Sequence, residues 1–133
     1  MRKCPKGLSI CLILLAIMQG CSRGLPEAVA DRFVEAYYAA ANLGEALQLA
    51  DGLAARKIHD QQLLLDGQTG PQSSAGRRVS FSRIEKATMD GKLFFRYEVR
   101  IDLQTGGSLS RKSLLALSNG PNGWRVTNFS ETD

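Results

Sequence analysis

His59 is the only histidine in the 133-residue chain, and it stands between Ile58 and Asp60. One imidazole beside one carboxylate supplies too few donors for a His-rich metal site, so no metal ligand set is expected. The residue falls near the polar side of an amphipathic segment, where an exposed helix histidine is the plain reading. Serines are numerous, but no Gly-x-Ser-x-Gly elbow presents one as a nucleophile. Gly106-Gly107 and Gly120 to Gly123 sit between alternating segments and read as hairpin turns, which gives no phosphate cradle. No catalytic set and no cofactor are expected. What remains is a group of aromatic side chains, Tyr37, Tyr38, Phe95, Tyr97 and Trp124, that could line a pocket, with Asp51 as the one candidate acid. Tyr37 and Tyr38 are adjacent, so both cannot point fully into one core. One of them should reach a pocket or the surface.

The cysteines carry a different kind of chemistry. Cys4, Cys11 and Cys21 all lie near the start of the chain and none follows. An exported protein with paired cysteines would suggest a disulfide framework. Here a chain cut before Cys21 would keep a single sulfur at its first position. Upstream, Arg2, Lys3 and Lys6 precede an eleven-residue apolar run, Leu8 to Met18, which Gln19 and Gly20 interrupt. A spanning helix needs about 20 apolar residues, whereas cations, a short apolar stretch and small residues are the three parts of a secretory signal.

Met18-Gln19-Gly20-Cys21 resembles the lipobox of bacterial lipoproteins, with Gln19 in place of the usual small residue. In that family the cysteine sulfur receives a diacylglycerol, cleavage falls just before it, and the new amino terminus is acylated. The resemblance implies a signal peptide over 1–20, lipid such as palmitate at Cys21, and a lipidated end and tether over 21–25. Two or more acyl chains, at about 0.8 kcal/mol per buried CH₂, anchor stably where one would be marginal. It also implies a membrane partner and a place in the cell envelope facing the periplasm, with Ser22 favouring the outer membrane. An ordinary signal peptide, leaving a secreted or soluble periplasmic protein, is the alternative.

Charge agrees with a discarded leader. The full chain carries 17 basic and 13 acidic residues, net +4, but residues 21–133 carry 14 basic against the same 13 acidic. Arg77-Arg78 and Arg111-Lys112 are basic pairs, yet no basic run is interleaved with aromatics, so nucleic acid is excluded as a partner. The 113 residues after the leader are enough for one domain with one core.

These side chains must be positioned by two kinds of element. Val29, Ala30, Phe33, Val34, Tyr37, Tyr38 and Ala41 recur on one helical face, which predicts a helix from 26 to about 41 with Pro26 in its first turn. Asn42 and Glu45 have the spacing of a capping box, so a second helical segment starts there. Asp51-Gly52 breaks it, and positions 43–65 are compatible with one bent helix or two. Residues 67–76 hold three glycines and no hydrophobic anchor, and read as a loop. The period then switches to two. Val79 and Phe81 open a strand whose alternation fails at Arg83, Ile84 and Ala87, predicting a bulge. Asp90-Gly91 is a hairpin signal. Leu93 to Leu103 alternate cleanly, with Phe94 out of phase on the polar face, where an exposed aromatic would mark a contact surface. Strands over 111–118 and 124–129 complete a four-stranded meander.

Helices followed by an antiparallel meander give an α+β domain over 26–131, with helices packed on one face of a curved sheet. Residues Ala30 to Tyr38, Asn42 to Leu53 and Gly123-Trp-Arg-Val-Thr-Asn-Phe129 resemble, in order and pattern, the NTF2-like (SnoaL-like) cone fold; a cystatin-like sheet is the competing architecture. The resemblance implies a long helix across the sheet and a pocket at the open end of the cone. That fold serves enzymes, binding modules and assembly domains alike, so the site must decide. The expectation is a lipid-anchored, non-catalytic binding or assembly module, with a small-molecule carrier or pocket enzyme as the alternative. A small ligand or a protein partner and the oligomeric state are left open. Cys21→Ser is expected to abolish incorporation of labelled palmitate by cells expressing the chain; unchanged incorporation would remove the anchor.

Overall fold

The computed structural model describes residues 24–66 and 77–133. The stretches expected as a signal peptide (1–20), a lipid attachment site (Cys21) and a loop (67–76) lie outside the described residues. Helix α1 spans Pro26–Val34, with Pro26 in the first turn and Val29, Ala30, Phe33 and Val34 buried. The chain then widens into a π-helical turn over Glu35–Ala39, closed by Ala40 N–H donating to the Glu35 carbonyl and Asn42 N–H to that of Ala36, both at 2.8 Å. One extra residue per turn rotates the side chains that follow. As a result Tyr38 is buried and Tyr37 half-buried on the same side of the molecule. The adjacency of the two tyrosines is thereby accommodated.

Helix α2, Leu43–Gln48, begins as the Asn42 cap predicts: its Oδ1 accepts from Glu45 N–H at 3.1 Å. The other half of the capping box does not close. Asn42 N–H is already committed to Ala36, and the Glu45 carboxylate lies 3.9 Å from Arg32 instead. Between α2 and α3 (Gly52–Asp66) the chain pairs with the sheet. Val126 N–H donates to the Leu49 carbonyl at 2.9 Å and Asp51 N–H to the Val126 carbonyl at 2.8 Å. This bridge makes the segment two helices, and Gly52 leaves it at φ +54, a conformation that glycine adopts without strain. Lys57 fastens α3 to the last strand, its Nζ donating to the Phe129 carbonyl at 2.7 Å and to Asn128 Oδ1 at 2.9 Å.

Strands β1 (Arg77–Met89), β2 (Lys92–Leu103), β3 (Ser108–Gly120) and β4 (Gly123–Thr132) form one antiparallel sheet in sequence order. All four extend beyond the stretches that alternation alone marks. Asp90 and Gly91, at φ 52 and 75, make the tight turn between β1 and β2. Register shifts between Arg83 and Glu85, which places the predicted bulge at Ile84, and again between Ala116 and Leu117 opposite Thr127. Phe95, Tyr97, Leu115, Leu117 and Val126 pack from the inner face against Phe33, Val34 and Ile58, all fully buried. Among the described residues no helix is long and apolar enough to cross a membrane.

Asn42→Ala is expected to cost about 1 kcal/mol of stability, in the range of lost N-caps. Glu45→Ala should cost less, because its carboxylate takes no part in the cap. Urea unfolding of both variants checks the order.

Candidate functional site

The π-helical turn, α3 and the ends of the strands enclose a cleft of about 340 Å³. Its apolar wall is Leu43, Leu65, Val99 and Ile101, and its polar side is Tyr37, Tyr38, Gln61, Arg77, Arg111 and Glu131. Two of the polar groups occupy inward-phase strand positions. Arg111 is opposite Val99 and Glu131 is opposite Ser113, in rows that elsewhere hold core residues.

A linked set of hydrogen bonds runs from the core to the rim. The Tyr38 hydroxyl lies 2.9 Å from Ser113 Oγ and 2.9 Å from Glu131 Oε1. A carboxylate only accepts, so the phenol donates to Glu131 and receives the Ser113 proton. Glu131 Oε2 in turn accepts from Arg111 Nη1 at 3.0 Å. Ser113, a buried polar side chain 1% exposed, is satisfied by this arrangement. Tyr37 donates separately to Gln61 Oε1 at 2.6 Å. Arg77 makes no ion pair among the described residues.

Burial pushes the Tyr38 phenol well above its usual value, and the neighbouring Glu131 charge adds to the effect. Tyr37 moves the same way, again through burial first and Glu131 second. Both stay protonated and act as hydrogen-bond donors or acceptors. The carboxylate is held between a guanidinium and a phenol. Such a cleft can recognise a polar group.

Of the sequence candidates, Tyr37 and Tyr38 meet at this cleft. Phe95 and Tyr97 lie in the closed core, fully buried. The Tyr97 hydroxyl reaches out from the core to donate to Asp31 on α1. Trp124 is half-buried near the β3–β4 turn, paired with Asn119. Asp51 is exposed at the start of α3, where its carboxylate accepts from Gly52 N–H at 2.8 Å. His59 is exposed on α3 outside the cleft, and no group of three or more potential metal ligands exists among the described residues. The sequence reading missed Gln61, Arg77, Arg111 and Glu131. For Arg111 and Glu131 the available signal was a charge on the buried phase of a strand.

No family model matches the chain, and no curated protein matches it. Solved structures do. A domain assigned as a calcium/calmodulin-dependent protein kinase type II association domain in Thiobacillus denitrificans superposes with TM-score 0.60 at 11% identity, over 81% of this chain and 94% of that one. An NTF2 design superposes with TM-score 0.53 at 9% identity, over 80% and 95%. The chain's fold is NTF2-like. VirB8 of Agrobacterium tumefaciens shares it, with TM-score 0.54 at 13% identity over 80% of this chain and 88% of that one.

Because Tyr37, Tyr38 and Tyr97 are all raised above the ordinary 10.0, the unfolded chain ionises first as pH climbs. Their stabilisation is complete below pH 10 and is lost as pH rises above it. Each phenol contributes a slope of up to about 1.4 kcal/mol per pH unit. Urea midpoints between neutral pH and pH 11 should therefore fall steeply above 10, and less steeply in Tyr97→Phe and Tyr38→Phe.

Proposed function

We propose that the chain is a non-catalytic binding or assembly module, held at the cell envelope by lipid on Cys21, with the cleft as its recognition surface. The observation that carries this reading is the pairing within the cleft: Tyr38, Glu131 and Arg111 satisfy one another. Phe33, Phe95 and Tyr97 leave no room for a deep reaction chamber behind them. The NTF2-like fold shared with a kinase association domain is compatible with such a module.

A small-molecule carrier is the second reading, and Arg77 favours it. Its guanidinium borders the apolar wall of the cleft, which Arg111 also lines, and makes no ion pair among the described residues. That combination suits a carboxylate with a short apolar body, because guanidinium and carboxylate pair through two parallel hydrogen bonds. Octanoate is a suitable probe. Titration into the full chain should give saturable binding, weakened about tenfold or more by Arg77→Gln, with the octanoate recovered unchanged. Absence of saturable binding would remove the cleft as an anion site, and chemical conversion of a bound carboxylate would overturn the non-catalytic reading.

A further inference from the structure

The β1–β2 and β3–β4 turns lie together at one end of the sheet, and the cleft opens at the other. Helix α1 joins the two ends with a fixed polarity. Its first turn is held toward the turn end of β1 by an ion pair between Glu27 and Lys86, and its middle by the Tyr97 hydroxyl on Asp31. The chain then runs on through the π-helical turn to set Tyr38 beside Ser113 and Glu131. It therefore enters the domain at the turn end. Around that entry three large apolar side chains stand in the open: Leu25, 57% exposed, Ile84 on the bulge, 48%, and Met89 before the β1–β2 turn, 62%.

We propose that this corner of the domain rests on the lipid bilayer that holds Cys21, with the cleft turned away from it. This orientation rests on lipid at Cys21, as proposed above, and adds which surface meets the membrane. Chain length chooses the bilayer as the occupant. Four residue steps separate Cys21 from Leu25, and at about 3.5 Å per step they reach no more than about 14 Å. A small folded domain is about 30 Å across. No partner of that size fits between the corner and the headgroups. Strand β1 has 13 residues, so Arg77 at the cleft is about 40 Å of strand away from Met89.

Charge decides the kind of contact. Glu27 holds Lys86, and Glu85 holds Arg96 at 3.1 Å. Arg83 lies over the Phe95 ring, and Asp31 takes the Tyr97 hydroxyl. Of the charges left around the two turns, Lys92 and Arg125 are matched in number by Asp90 and Asp51. The corner thus has no net charge to draw it to anionic lipid, and its contact is apolar: Leu25, Ile84 and Met89 reach the boundary between headgroups and acyl chains. The lipid at Cys21 supplies the affinity, and these side chains set the angle. Lying flat on the outer sheet face would instead press Glu98, Arg100, Asp102 and Lys112 against the lipid.

Collisional quenching tests the orientation. The full chain, expressed in cells and purified from their membranes, carries a fluorescent label at Met89→Cys, Gln104→Cys or Leu63→Cys, all exposed positions. Each is placed in phosphatidylcholine vesicles containing nitroxide-labelled lipid, with and without phosphatidylglycerol. Quenching should be several-fold stronger at position 89 than at 104 or 63, and phosphatidylglycerol should leave the order unchanged. Circular dichroism melts of the same samples show that the fold is kept. Intact mass separates this proposal from the anchor beneath it. A chain acylated at Cys21 that is quenched equally at 89 and 104, or more at 104 or 63, overturns the orientation and leaves the anchor standing. A chain that carries no acyl group at Cys21 overturns the anchor, and the bilayer contact with it.

Discussion

Phe33 is the contact on which the remaining structure depends. Its ring is fully buried where α1 crosses the inner face of the sheet, 5.2 Å from Phe129 and 5.8 Å from the stacked ring of Tyr37. Burying a phenylalanine of this kind contributes about 1.5–3 kcal/mol before packing is counted. It also fixes a geometry. With α1 seated on Phe33, the π-helical turn that follows must deliver Tyr37 and Tyr38 to the ends of β3 and β4. The same seat fills the interior that would otherwise be open. The domain therefore has a solid centre with a polar mouth.

That mouth pairs Glu131 with Arg111 and holds Arg77 as a second cation. Glu131 and Arg111 occupy inward-phase strand positions at the solvent-exposed rim, where they pair with each other and Glu131 also accepts from the Tyr38 hydroxyl. A network of this kind stays in one geometry because every member needs another.

Much of the architecture was legible from periodicity. The alternation from Leu93 to Leu103, the Asp90-Gly91 turn and the failure of alternation at Ile84 each reported a local backbone preference, and each has its counterpart in the sheet. The break before α3 was visible as Asp51-Gly52. Its cause was not, since the bridge to Val126 joins residues 75 positions apart in the chain and leaves no local trace. The π-helical turn was hidden for a similar reason. Glu35–Ala39 has ordinary helical composition, and only the packing of Tyr38 against β3 and β4 reveals the extra residue. For the site, aromatic type predicted burial but not location. Phe95 and Tyr97 followed the core phase of β2, and the cleft drew its polar groups from five segments spread along the sequence.

Strand β1 runs for 13 residues at the border of the sheet, and Ile84 interrupts its register midway. Arg83 and Lys86 flank the interruption. A long straight border strand would invite neighbouring copies to add strands side by side without limit. The kink and the cations break that template. Lateral growth into fibres is blocked at the place where the sheet is least protected, so neighbouring copies can lie close together and remain separate folding units.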